Sequence, residues 1–218
     1  MTMIITSIIL FVLAGVAVYK AATATKEEQK DIELTKHDVE NIAFEVFKSN
    51  GAAGFKLEVC DHLPDEVIAN LKDGKTSQGL VPEELVGLTM PNLGTKKNNE
   101  DIIYIFVDGF RKQQEMLAKL GKHVSNRKLV EVFTLHECRH SQQIAALRDA
   151  GYDVEKAYSY EASCEYGKGP MEKDAIGFMA YPRVYGFVVK SSWVAKAINK
   201  KMSDPVFTAQ YSISKMFG

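Results

Sequence analysis

Residues 136–140 read His-Glu-Cys-Arg-His, and this H-E-x-x-H pentad constrains the fold more than any other feature of the chain. Leu129, Phe133, His136, His140, Ile144 and Leu147 recur at steps of three and four, the spacing of a helix with one apolar stripe. Ser125 supplies an N-cap and Gly151 a stop, so the pattern predicts a long helix from there to about Asp149. Both histidines then lie in the stripe that faces the core. Two imidazoles one turn apart among aliphatic side chains are costly unless each ring nitrogen finds a partner, and one metal ion serves both. The plainer alternative, core histidines with ordinary hydrogen bonds, suits a lone histidine better than a pair flanking a glutamate. By residue usage the pentad arises by chance on the order of once per hundred chains of this length.

Zn2+ is the cofactor this arrangement suits, because Glu137 is placed between the two ligands to take a proton from a water on the ion. A catalytic zinc also needs a third protein ligand and an open position. No histidine follows His140, which excludes the longer H-E-x-x-H-x-x-G-x-x-H arrangement. Glu172 is the best candidate. With Ala175, Ile176 and Met179 it forms an i, i+3, i+4, i+7 stripe, a carboxylate on the otherwise apolar face of a downstream helix. Glu161, Cys164 and Glu165 compete from a segment of less regular periodicity, and His123 from the turn before the long helix. Asp174 is a candidate acceptor for the free N–H of a metal-bound histidine. The plain alternatives are a first-turn carboxylate favoured by the helix dipole at Glu172 and a surface aspartate at Asp174.

The rest of the chain predicts a mainly helical α+β domain. Thr35 and Asp38 open a helix whose apolar positions, Val39, Ile42, Ala43, Val46 and Phe47, run to the stop at Asn50-Gly51. Phe55–Val59 alternates as a strand, and Pro64 opens a short helix to Leu71. Residues 72–100, rich in Gly, Pro, Asn and Lys, read mostly as loop. Residues 102–107, Ile-Ile-Tyr-Ile-Phe-Val, form the strongest strand, bounded by Asp108-Gly109. Helices follow over 110–120, 125–149 and 154–165. After the break at Gly167–Pro170 comes the helix carrying Glu172, then an interruption at Pro182 and Gly186, and one or two helices with Trp193 to about Met202. The segment after Pro205 has no assigned element. A small sheet therefore precedes the helix bearing the pentad.

Length and composition set the outer bounds. With 218 residues and 46% hydrophobic content, residues 31–218 can bury one core as a single domain. A net charge of -1 from interspersed acidic and basic residues provides no footprint for nucleic acid. Cys60, Cys138 and Cys164 lack zinc-ribbon spacing and read as free thiols, with Cys60–Cys164 the pair available in an oxidising compartment. Residues 1–25 form a separate element, a hydrophobic N-terminal helix. Met3–Tyr19 is uncharged, and seventeen helical residues reach about 25 Å against a hydrocarbon core of roughly 30 Å. The segment reads as a single-pass membrane anchor, with Lys20, Lys26 and Lys30 favouring a cytoplasmic domain. Its alternative is a signal segment cleaved after Ala22-Thr23-Ala24, releasing a secreted or periplasmic protein.

With the pentad at 136–140 and Glu172-Lys173-Asp174-Ala175 downstream, residues 100–180 resemble the gluzincin branch of zincin metallopeptidases, and more loosely its small, compact domains. The best-known members have E-x-x-x-D at the second motif. The resemblance implies a zincin-like fold, His136, His140 and Glu172 as zinc ligands, Glu137 as general base, and residues 102–107 as an edge strand that holds a peptide or protein substrate. Many relatives stabilise the oxyanion with a downstream histidine or tyrosine, which here leaves Tyr181, Tyr185 and Tyr160, with Tyr181 preferred. Two rival readings remain: a catalytically silent domain whose zinc is closed by a fourth ligand such as Cys164 or Glu165, and a membrane-tethered interaction domain without metal.

Overall fold

The computed structural model describes residues 31–65, 85–94, 100–164, 167–180 and 191–217. The apolar run Met3–Tyr19, most of the expected 64–71 helix, Glu165, Tyr181, Tyr185 and the interruption at Pro182 and Gly186 lie outside them. Among the described residues no helix is long and apolar enough to cross a membrane.

The elements in chain order are α1 (Lys36–Asn50), β1 (Lys56–Cys60), β2 (Gly87–Met90), β3 (Ile102–Phe106), α2 (Val107–Lys119), α3 (Asn126–Asp149), α4 (Val154–Ser163), α5 (Pro170–Ala180), α6 (Ser191–Met202) and α7 (Pro205–Phe217). The fold is mainly helical α+β with a three-stranded sheet of order β1-β3-β2. Capping follows the sequence closely. The Thr35 hydroxyl accepts from Asp38 N–H to start α1, Ser125 accepts from Lys128 to start α3, and Asp153 accepts from Lys156 to start α4. Gly151 takes φ +71, the left-handed conformation that ends α3.

Three elements differ from the sequence reading. Val107 opens α2 instead of closing the strand, and Asp108-Gly109 lies inside that helix. Glycine is needed there for contact, not for a turn: a Cβ on Gly109 would stand 1.9 Å from the Leu85 carbonyl oxygen. The stretch read as loop contains β2, too short at four residues to show alternation against its Gly and Pro neighbours. The segment after Pro205 is the helix α7.

The largest correction concerns β3. Its residues pair on both sides, parallel to β1 with Leu57 opposite Ile103, and antiparallel to β2 with Thr89 opposite Ile103. Residues 102–107 therefore supply the central strand and not an edge. Ile103 and Ile105 are buried on one of its faces and Ile102 and Phe106 on the other, the signature of a strand covered on both faces. The edge nearest the pentad is β2.

Helix α3 is the hub, packed against α1, α5, α6, β2 and β3. Leu129, Ile144 and Leu147 reach 0% exposure in one core with Phe110 and Ile103. Phe133 sits at the margin of that core, edge-on to Phe110. The three cysteines are free thiols. Cys138 points away into the core, where burial and then the charge of Glu137 push its thiol up to about 12.

Candidate metal centre

His136 and His140 come from successive turns of α3, and Glu172 from the first turn of α5 across the interface. All three are buried, and they form the one group of potential ligands that converges among the described residues. The two Nε2 atoms are 3.0 Å apart. Glu172 Oε2 lies 3.4 Å from His136 Nε2, and Oε1 lies 3.4 Å from His140 Nε2. Tetrahedral bonds of 2.0–2.1 Å to zinc place donor atoms about 3.3 Å apart, so the spacing fits one small cation. Glu172 Oε2 is also buried with no hydrogen-bond partner. A buried carboxylate facing two imidazole nitrogens, with one oxygen orphaned, is what a metal ion relieves.

The charge pattern agrees. Burial works against ionisation of Glu172, yet the adjoining His136 and His140 outweigh it and hold the carboxyl well below its usual range. Burial likewise opposes a charge on His140, but the hydrogen bond and charge of Glu172 prevail and raise it to about 10. Without metal, His140 thus keeps its proton beside the Glu172 carboxylate.

Behind His140 stands a chain of partners. His140 Nδ1 meets Gln143 Oε1 at 2.9 Å. The Gln143 amide nitrogen donates to Asp174 Oδ2 at 2.7 Å and to the Met171 carbonyl at 3.0 Å. Two acceptors fix the amide's orientation, its oxygen must face the imidazole, and Nδ1 carries the hydrogen. Nε2 is then left to face Glu172 and His136. Asp174 is in turn gripped by Arg139, Nε to Oδ2 at 2.7 Å and Nη2 to Oδ1 at 3.2 Å. The guanidinium lies 4.9 Å from the Phe178 ring centroid. The sequence reading has Asp174 accept from a histidine directly; in the structure Gln143 stands between them. Nothing in single-sequence periodicity marks Gln143 or Arg139 for these tasks.

Glu137 leaves α3 one position on and meets β2. The Thr89 hydroxyl donates to Glu137 Oε2 at 2.7 Å and also approaches the Glu137 carbonyl at 3.1 Å. Gly87 makes room, since a Cβ there would lie 2.7 Å from Glu137 Cγ. The base candidate is thus held by the edge strand.

The other candidates separate clearly. Cys164 gives its thiol to the Tyr160 carbonyl, and His123 is exposed; neither joins the cluster. The Glu161 carboxylate faces the N-terminus of α5. Tyr160 packs edge-on against Phe207, with ring centroids 4.9 Å apart. Tyr158, which periodicity did not single out, approaches the site instead. Its hydroxyl donates to the Thr89 carbonyl at 3.4 Å. Burial, then the charges of Glu137, Glu172 and Glu161, push its pKa well above 10, so the phenol remains a proton donor. No family model, curated protein or solved structure matches this chain.

Proposed function

We propose that the protein is a zinc-dependent metallopeptidase of zincin-like architecture, with His136, His140 and Glu172 as its metal ligands. The observation that carries the reading is the convergence of those three side chains at 3.0–3.4 Å beside Glu137. Zinc bound there supplies a Lewis acid for a peptide carbonyl and lowers the pKa of a coordinated water towards 7. Glu137 acts as general base and then returns the proton to the leaving amine. Thr89 keeps the Glu137 carboxylate oriented for both transfers. Tyr158, a neutral donor whose bond to the Thr89 carbonyl is long, is a candidate beside Tyr181 to serve the developing oxyanion.

The substrate reading moves with the sheet correction. β2 pairs only with β3 among the described residues, so its far side is the edge to which an extended peptide adds. Because Thr89 lies on β2, the strand that receives the peptide also holds the base. A silent zinc staple needs a fourth protein ligand, and Cys164, one of the two candidates for it, gives its thiol to the Tyr160 carbonyl instead. The Met3–Tyr19 run tethers the domain to a membrane in this reading.

Two measurements on one pair of proteins test it: zinc content and cleavage of a peptide library by wild type and Glu137→Gln. The expected result is about one zinc per chain in both, with cleavage by wild type alone. Equal cleavage by Glu137→Gln removes the general-base role, and absence of zinc from wild type removes the reading.

A further inference from the structure

Helix α5 begins without a capping side chain of its own. Gly169 precedes it and has none, while Pro170 has no N–H to satisfy. The next two amides, of Met171 and Glu172, receive the carboxylate of Glu161 from α4. Oε2 accepts from Met171 N–H at 3.1 Å and Oε1 from Glu172 N–H at 3.0 Å. Lys173 N–H then bonds the Gly169 carbonyl at 3.1 Å, which completes the first turn. Every amide of that turn is satisfied, two of them by one buried charge from another helix.

Gly169 is part of the same device. A Cβ there would stand 1.9 Å from Glu161 Oε1, 2.2 Å from Cδ and 2.5 Å from Oε2. The carboxylate occupies the space that a side chain at 169 would fill. A local Ser, Thr or Asp cap would satisfy the same amides, but it would leave α5 free to shift against α4. The remote carboxylate ties the two helices at the residue whose side chain faces His136 and His140.

We propose that Glu161 is a positioning residue of the metal centre, which sets the place of Glu172 by capping its backbone in the space that Gly169 leaves open. The inference rests on the metal-site reading above and deepens it. Outer partners of metal ligands typically alter affinity by about ten- to hundredfold. Glu161 belongs with them, although it grips the ligand's main chain and not its carboxylate.

The test is a double-mutant cycle on the full chain, with zinc affinity read by competition with a chromophoric chelator and geometry by the absorption of the cobalt-substituted protein. Glu161→Ala is expected to weaken zinc binding by about tenfold or more and to alter the cobalt spectrum. Gly169→Ala, which touches no ligand and needs no unusual φ, should do the same by displacing the carboxylate. The double variant should be hardly weaker than either single one, because both remove one contact. Glu161→Gln, which keeps one acceptor oxygen, should fall between, and it carries the test if the alanine variants do not fold. Thr35→Ala, a lost cap far from the site, should lower stability without changing affinity or spectrum. Affinities within twofold of wild type, or effects of Glu161→Ala and Gly169→Ala that multiply independently, overturn the proposal while leaving the metal site intact. A wild type that binds no zinc overturns the metal reading itself.

Discussion

The Thr89 hydroxyl donates to Oε2 of Glu137 at 2.7 Å, joining the edge strand to the pentad helix across 48 residues of sequence. The same hydroxyl approaches the Glu137 carbonyl, so strand and helix are locked at the residue proposed as the general base. In the proposed mechanism, a base held this way keeps its geometry when a peptide settles on β2.

Thr89→Val preserves shape and removes that donor. It is expected to lower kcat by about tenfold, with zinc content unchanged and KM altered little, since Glu137 then samples orientations outside reach of its proton. Steady-state kinetics beside metal analysis check this. Unchanged kcat would show that the hydroxyl plays no part in orienting the base.

Tyr158→Phe deletes only the phenolic hydroxyl. Loss of one oxyanion donor costs about 100-fold or more in kcat in comparable sites, and the variant should retain zinc and bind substrate normally. If kcat is unaffected, the donor lies elsewhere.

Asp174→Ala leaves Arg139 charged and 2% exposed, without its two-point partner. Removing one member of a buried pair costs about 3–5 kcal/mol, which chemical denaturation of the metal-free protein will register. Arg139→Met with Asp174→Asn should recover part of the loss, because neither remaining group is an unpaired charge. A single variant as stable as wild type would contradict the bracing role.

The chain's legibility was uneven for physical reasons. Helices announced themselves wherever a cap and a 3.6-residue stripe coincided, as at Ser125 and Leu129, and Glu172 stood out as one carboxylate on an apolar face. β2 did not, because four residues beside glycine and proline carry no period. That omission concealed the sheet order, and the edge role expected of residues 102–107 came from the resemblance and not from their own pattern. Gln143, Arg139, Glu161 and Thr89 act through contacts between separate elements, and only the packing of α3 against β2 and α5, and of α4 against α5, brings them into play.

The metal-free site carries a pH signature. His140 is raised from 6.5 to about 10, so its contribution to stability is fully present below 6.5 and is lost as pH rises towards 10. Glu172 is lowered from 4.5, so its contribution is present above 4.5 and is lost as pH falls below that value. Denaturation midpoints of metal-free protein should therefore peak in weak acid and decline into the alkaline range. Zinc replaces the retained proton and should abolish the alkaline decline. A flat profile without metal would contradict this coupling.

The most direct test of the central claim is X-ray absorption at the zinc edge of the purified wild-type protein, with Glu172→Ala beside it. The account predicts one zinc per chain bound by nitrogen and oxygen donors at about 2.0–2.1 Å, two of them imidazole, with a water among them and one protein oxygen lost in the variant. A sulfur donor at about 2.3 Å, four protein ligands, an unchanged spectrum for Glu172→Ala, or no zinc at all would contradict it.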